Sequence, residues 1–247
     1  MDVVTYPIAE RFHSIQGEGE HAGRPMHFVR LAGCNVGKPQ SSVQPPATQA
    51  LSIYPNHTIC TNMFGEQFLC DTDYTKAETI AVQAIIADTY ERYICITGGE
   101  PFLYDLFPII DAAADAGIAV HIETSGTKLI PEAFVWRGKW RSNLWITCSP
   151  KAGFLAENLQ RGTRAIDELK FTVSDAADPT EVIRQVDAVL ALCAEGGYHL
   201  VPPSVWLQPI NGVNELYRSS ALLAMEVLRV RPEWRLCVQV HKAIGVR

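Results

Sequence analysis

"YICITGGEPFLYDLFPIIDAAADAGIAVHIETSGT", residues 93–127, decides the fold class. β-Branched and aromatic residues crowd positions 93–96, the pattern of a buried strand, and two adjacent glycines follow at once. A helical pattern then runs through "LYDLFPIIDAAADAG" and stops at Gly117, a residue suited to the left-handed turn that ends helices. A second strand, "IAVHIE" at 118–123, closes the unit before another polar turn, "ETSGT". Strand, helix and strand in that order imply two parallel strands joined by a right-handed crossover.

The same alternation extends outward. Strands are predicted at 26–32, 143–148, 168–173, 204–209 and 236–241. Helices are predicted at 75–90, opening with Thr75 and Glu78 at capping-box spacing, and at 214–230. Another spans 178–194, with Asp178 as N-cap, Pro179 in the first turn and Glu181 three residues after the cap. About six or seven parallel strands make a doubly wound sheet or a partial barrel, and in both architectures ligands gather at the carboxyl ends of the strands. The segment 38–49, "KPQSSVQPPATQ", has loop-like bias, and no internal repeat is present.

The 247 residues, 47% hydrophobic and 19% charged, suit one soluble domain spanning 1–247. No apolar run approaches the roughly 18 residues of a membrane helix, and the N-terminal stretch does not read as a secretory signal, so a cytoplasmic protein is expected. The net charge of −6, with 21 basic residues dispersed, argues against direct nucleic-acid binding. Seven cysteines at irregular spacing in a chain of this size read as reduced thiols or metal ligands rather than disulfides.

Polar residues follow each strand. Thr97, Gly98, Gly99, Glu100 and Pro101 follow the first; Glu123, Thr124 and Ser125 the second; Ser149, Pro150 and Lys151 the third; Gln208 and Asn211 flank the end of the strand at 204–209. Glu168 and Lys170 share one face of their strand, as an internal ion pair or as ligand contacts. Each group taken singly could be an ordinary polar turn. Their recurrence favours a polar ligand lying across the strand ends.

"GCN" at 33–35, "CDT" at 70–72 and "TGGEP" at 97–101 resemble the radical S-adenosylmethionine (SAM) superfamily, in which three thiolates hold a [4Fe–4S] cluster and the remaining iron chelates SAM. The block "FHSIQGEGEHAGRPMHFVRLAGCN", 12–35, followed by "CDTDY", resembles the 7-carboxy-7-deazaguanine synthase (QueE) family more narrowly. That resemblance runs from about residue 8 to the end of the chain. It implies a partial (β/α) barrel of the radical SAM type, in one domain with an enlarged cluster-binding loop at about 34–72. It also implies conversion of 6-carboxy-5,6,7,8-tetrahydropterin to 7-carboxy-7-deazaguanine with loss of ammonia, using SAM and Mg²⁺. A 5′-deoxyadenosyl radical would take hydrogen from C6 and the ring would contract, with no protein nucleophile or general base.

By the resemblance, Ile15, Gln16, Gly17 and Thr97 contact the pterin, Arg30 pairs with its carboxylate, and Arg247 helps close the substrate pocket. Gly99, Glu100, Ser125, Ser149, Pro150, Lys151 and Gln208, Pro209, Ile210, Asn211 contact SAM. Thr72 ligates Mg²⁺. A flavodoxin or ferredoxin is the implied electron donor, and a homodimer the implied assembly.

The chain departs from the superfamily's CxxxCxxC spacing, because Gln67 stands where the middle cysteine of a CxxCDT would be. Cys60 lies in the intervening stretch and is the expected third cluster ligand beside Cys34 and Cys70. Cys95, Cys148, Cys193 and Cys237 fall in predicted strands and helices and read as buried structural thiols. Two alternatives share some of these features: a module in which Cys34, Cys60, Cys70 and His57 hold structural zinc, and a radical SAM activase acting on a partner protein.

Overall fold

The structure is a computed structural model that describes residues 3–39, 58–70, 72, 77–131, 133, 143–155, 158, 166–195, 204–210 and 218–246. Strands β1 (Thr5–Ile15), β2 (Pro25–Leu31), β6 (Glu78–Ala81), β7 (Tyr93–Gly98), β8 (Ala119–Thr124), β9 (Leu144–Cys148), β10 (Glu168–Val173), β11 (Ser204–Pro209) and β12 (Arg235–Leu236) form one sheet. Its order is β12-β11-β10-β9-β8-β7-β2-β1-β6. From β2 to β12 every neighbouring pair is parallel, whereas β1 lies antiparallel between β2 and β6. Helices α1 (Val82–Ala87), α2 (Phe107–Asp115), α3 (Pro179–Glu195) and α4 (Arg218–Val230) lie between strands, and α5 (Val240–Ala243) is a single turn.

Side-chain alternation divides this partial barrel into two faces. On β10, Leu169, Phe171 and Val173 belong to the main hydrophobic core with Ile94, Ile96, Ile122 and Ile146 of β7 to β9. The helices complete that core with Ile109, Ile110 and Ala113 of α2, Val182, Val186 and Val189 of α3, and Leu223, Ala224 and Val227 of α4. The opposite face carries Glu168, Lys170 and Thr172 on the same strand, all buried. A strand that is buried on both sides but polar on one side must find its hydrogen-bond partners within the protein or in a ligand.

Helix α3 begins as its residues dictate. The Glu181 amide donates to Asp178 Oδ1 at 3.0 Å. Asp178→Ala is expected to lower stability by about 1 kcal/mol, measured as a shift in urea midpoint with unchanged slope.

Two elements differ from the sequence expectation. The helix expected over 75–90 begins only at Val82, because residues 78–81 form β6 against the edge of β1, in the register Thr5↔Ala81 to Ile8↔Glu78; Thr75 lies outside the described residues. β-Branched Thr79 and Ile80 suit either state, and the open edge of β1 decides between them. The strand expected at 236–241 stops at Leu236. Cys237 N still donates to Leu207 O at 2.8 Å, but Val240 N then bonds to Gly17 O at 2.9 Å and turns the chain into α5.

A second, antiparallel sheet orders as β3-β4-β5, comprising Lys38–Pro39, Thr58–Thr61 and Gln67–Leu69. It includes the start of the segment expected to be loop.

Candidate functional site

The polar inner face opens into a cavity of about 230 Å³ where β1, β2, β7, β8, β10 and β11 meet the small sheet. Cys34, Cys60 and Cys70 all line it, whereas Cys95, Cys148, Cys193 and Cys237 do not. The three thiols reach it by different routes.

Cys34 follows β2, and the Val36 and Gly37 amides each donate to its Sγ at 3.4 Å. The preceding loop is clasped to the turn after β7: Gly99 N bonds to Leu31 O at 3.0 Å and Glu100 N to Gly33 O at 3.0 Å. A Cβ on Gly99 would stand 1.5 Å from Gly33 O, so only glycine allows the two loops this approach.

Cys60 sits in β4, opposite Phe68 of β5. The hairpin joining them is built on buried Asn62, whose Oδ1 accepts from Phe64 N at 3.0 Å and Glu66 N at 2.9 Å. Asn62 Nδ2 then donates to Thr172 O at 2.9 Å, fixing the hairpin to β10. The middle thiol is thus delivered by a docked hairpin rather than by a short turn. Burial pushes the Cys60 thiol up to about 12, while the Lys151 ammonium pulls the other way; a bound cation would favour the thiolate further. Lys151 Nζ donates to Ser149 Oγ at 3.0 Å and Thr172 Oγ1 at 3.2 Å, and lies 5.0 Å from the centroid of the Phe68 ring.

A single tetrahedral zinc would hold thiolate sulfurs about 3.8 Å apart, given Zn–S of about 2.3 Å. Among the described residues, the group of three candidate ligand atoms within 4.8 Å of one another is His13, His27 and Asp88, not the three cysteines. His57 lies outside the described residues.

Beyond the thiols, the wall is a charge network. Lys170 Nζ pairs with Glu18 and lies 4.0 Å from Glu123 Oε1. Burial alone would lower its pKa, but Glu18 and then Glu123 outweigh this and hold the ammonium well above its ordinary range. Glu123 also accepts from Gln16 Nε2 at 3.0 Å and Thr97 Oγ1 at 3.2 Å. Buried His121 contacts Thr147 Oγ1 through Nε2 at 2.8 Å, and Gln16 Nε2 lies 3.5 Å from its Nδ1. Burial, then the nearby His21 and Lys170, keep that imidazole neutral.

Ile15, Gln16, Gly17, Arg30, Thr72, Thr97, Gly99, Ser125, Ser149, Lys151, Gln208, Pro209 and Ile210 all line the cavity. Glu100 and Pro150 do not. Glu100 is fully buried, and its carboxylate accepts from Phe102 N at 3.1 Å, Thr124 Oγ1 at 2.7 Å, Ser125 N at 2.9 Å and Ser125 Oγ. It fixes the turn that presents Ser125. Asn211 and Arg247 lie outside the described residues. Arg30 Nη1 donates to Thr72 Oγ1, its Nε is 3.5 Å from Glu10 Oε2, and its guanidinium lies 5.5 Å from the Phe12 ring centroid.

Sequence reading missed Glu18, Thr172, Gln239, His241 and Lys242, which also line the cavity. Glu18 stands inside the quoted 12–35 block, and its neighbour Gln16 was the available signal.

No family model matches the chain. A 7-carboxy-7-deazaguanine synthase from Bradyrhizobium diazoefficiens is 32% identical, over 99% of this chain and 100% of the relative. Another from Nitratidesulfovibrio vulgaris is 30% identical, over 98% of this chain and 100% of the relative. The chain belongs to the 7-carboxy-7-deazaguanine synthase family. The crystal structure of QueE from Escherichia coli resembles it with a TM-score of 0.64 at 27% identity, covering 96% of this chain and 95% of that one. The likeness to the deazaguanine synthase structure thus covers nearly all of the chain, and the molecule is an enzyme of radical SAM architecture, as the sequence resemblance implied. No helix among the described residues is long and apolar enough to cross a membrane.

Proposed function

We propose that the chain converts 6-carboxy-5,6,7,8-tetrahydropterin to 7-carboxy-7-deazaguanine with loss of ammonia. The observation that carries this reading is the convergence of Cys34, Cys60 and Cys70 with Arg30, Gln16 and Lys170 on one cavity. Three soft thiolates suit a [4Fe–4S] cluster. Gly99, Ser125, Ser149, Lys151 and the Gln208 to Ile210 edge are the proposed SAM wall, with Glu100 holding Ser125 in place and Pro150 joining Ser149 to Lys151. Cys34, Cys60 and Cys70 would hold the cluster, which together with SAM would supply one-electron chemistry able to remove hydrogen from the substrate.

The chain's own residues position and shield. The Arg30 fork is suited to the pterin carboxylate, which it would bind with two hydrogen bonds. In this structure the guanidinium rests on Thr72 Oγ1. A substrate carboxylate offers it a stronger acceptor, and its departure would leave the Thr72 hydroxyl to Mg²⁺, a hard cation that prefers oxygen and would neutralise developing charge. Ile15 and Gly17 form the adjoining pterin wall, Glu123 holds Gln16 and Thr97 in place, and Asn211 and Arg247 are proposed contacts from beyond the described residues. A flavodoxin or ferredoxin donor, a homodimer and a cytoplasmic location complete the reading.

Arg30→Lys keeps the charge but loses the fork. It is expected to raise KM for the pterin about 10- to 100-fold with little change in kcat, the cost of about 1.5–3 kcal/mol for a charged hydrogen bond.

The deciding experiment is anaerobic reconstitution with iron and sulfide, followed by reduction with SAM and 6-carboxytetrahydropterin. A brown protein that forms both 5′-deoxyadenosine and the deazaguanine is expected. Deoxyadenosine without deazaguanine would overturn the substrate assignment in favour of an activase, and a colourless protein holding one zinc would overturn the cluster.

A further inference from the structure

On the face of β1 and β2 turned away from the cavity, two histidines stand directly opposite each other in the antiparallel register, His13↔His27. Their rings stack with centroids 4.4 Å apart at 16°, and Tyr90 stacks on the outer side of His13 at 4.2 Å. The turn after α1 brings Asp88 to the same point: one ligand atom from each of His13, His27 and Asp88 lies within 4.8 Å of the others.

The hydrogen bonds fix which nitrogen each ring offers. The Thr89 hydroxyl donates to Ile85 O at 2.8 Å, so its 2.7 Å contact with His27 Nδ1 requires that nitrogen to carry the proton. The other nitrogen, Nε2, then presents a lone pair. It is buried in a fully buried side chain and has no hydrogen-bond partner, with Asp88 Oδ2 the nearest carboxylate oxygen at 3.9 Å. His13 repeats the arrangement: Nδ1 faces both oxygens of Glu91, at 2.8 and 3.0 Å, leaving its Nε2 for another ligand. An imidazole tied through one nitrogen to a hydroxyl or carboxylate, with its other nitrogen beside a neighbouring imidazole and a carboxylate, has the outer-sphere support of a metal ligand; the two rings must turn out of their stack for both lone pairs to meet one ion. Burial of an acceptor with no donor is costly in an apoprotein, and a cation relieves that cost.

We propose that His13, His27 and Asp88 form a binding site for one divalent cation of the zinc or nickel class, separate from the catalytic cavity. Two imidazoles and a carboxylate are the donor set such ions favour, with water completing the coordination. Glu91 and Thr89 orient the rings. Arg11, whose Nη1 is 2.7 Å from Asp88 Oδ2, shares that carboxylate with the ion and limits its affinity. The ion would staple β1 and β2 to the turn that leads into β7.

Nickel titration of the cluster-loaded full-length chain tests this, by calorimetry and by counting bound nickel after gel filtration. The wild type is expected to bind one nickel per chain at about 100 µM free Ni²⁺ and to unfold at a higher temperature with it. His13→Gln, at a partly exposed position, is expected to lose that binding and the thermal shift together. Glu91→Gln is expected to weaken affinity about 10- to 100-fold while leaving the ligands themselves in place. Absence of bound nickel in the wild type, unchanged binding in His13→Gln, or nickel bound with thiolate charge-transfer absorption would each overturn the proposal.

Discussion

Cys60→Ala is expected to yield a folded protein that builds no cluster competent to cleave SAM, with 5′-deoxyadenosine formation at the level of a control without enzyme. The residue contributes little to stability by itself: removing one buried sulfur costs on the order of 1 kcal/mol. The β4–β5 hairpin is fixed by Asn62, through its turn and its bond to Thr172 O, and not by the thiol. Circular dichroism should therefore remain native while iron content and SAM cleavage collapse. Among the described cysteines that line the cavity, Cys34 and Cys70 alone would remain, too few to hold the cluster with a single open iron. A Cys60→Ala protein that still assembles a full cluster and cleaves SAM would show that another thiol completes the set.

The second large effect is on stability. Lys170 is 5% exposed and sits between the carboxylates of Glu18 and Glu123. Lys170→Met is expected to cost about 3 kcal/mol, the lower end of the 3–5 kcal/mol seen when a buried pair loses one partner. The lower end applies because Glu18 keeps donors from Gln208 and Gln239, and Glu123 keeps Gln16 and Thr97. Urea denaturation measures the loss. Adding Glu18→Gln to Lys170→Met should recover part of it, since the unpaired charge is then removed. A loss below about 1 kcal/mol would mean that the side-chain amides and water already satisfy both carboxylates.

How much of this was legible depended on the range of the forces involved. Strands β7 to β11 could be read because their apolar runs are decided by local pattern and flanking turns, and the polar clusters after them mark the cavity. Strand β1 was not read. Its sequence "TYPIAERFHSI" is broken by the adjacent charges Glu10 and Arg11 and becomes a strand only between β2, with partners 10 to 23 residues away, and β6, with partners 70 to 76 residues away. The tail was misread for the same reason: "LCVQVH" has strand periodicity, but Gln239 bonds to Glu18 and Val240 to Gly17, and those contacts win. Cys60 could be placed in the right segment but not in a hairpin, because the Asn62 turn takes its position from the carbonyl of Thr172. Glu100 shows the converse: a motif residue readily picked out from sequence spends its carboxylate on four protein donors.

The bond from Gln239 to Glu18 also orders events in time. It closes across 221 positions of the chain, and contacts of such separation carry the largest loop-closure cost and form late. A chain emerging from the ribosome exposes Cys34, Cys60 and Cys70 long before residue 239 is made. Cluster delivery before residue 239 is made would meet the thiols without their far wall, so completion of the cavity waits on the Gln239 to Glu18 bond and not on the thiols.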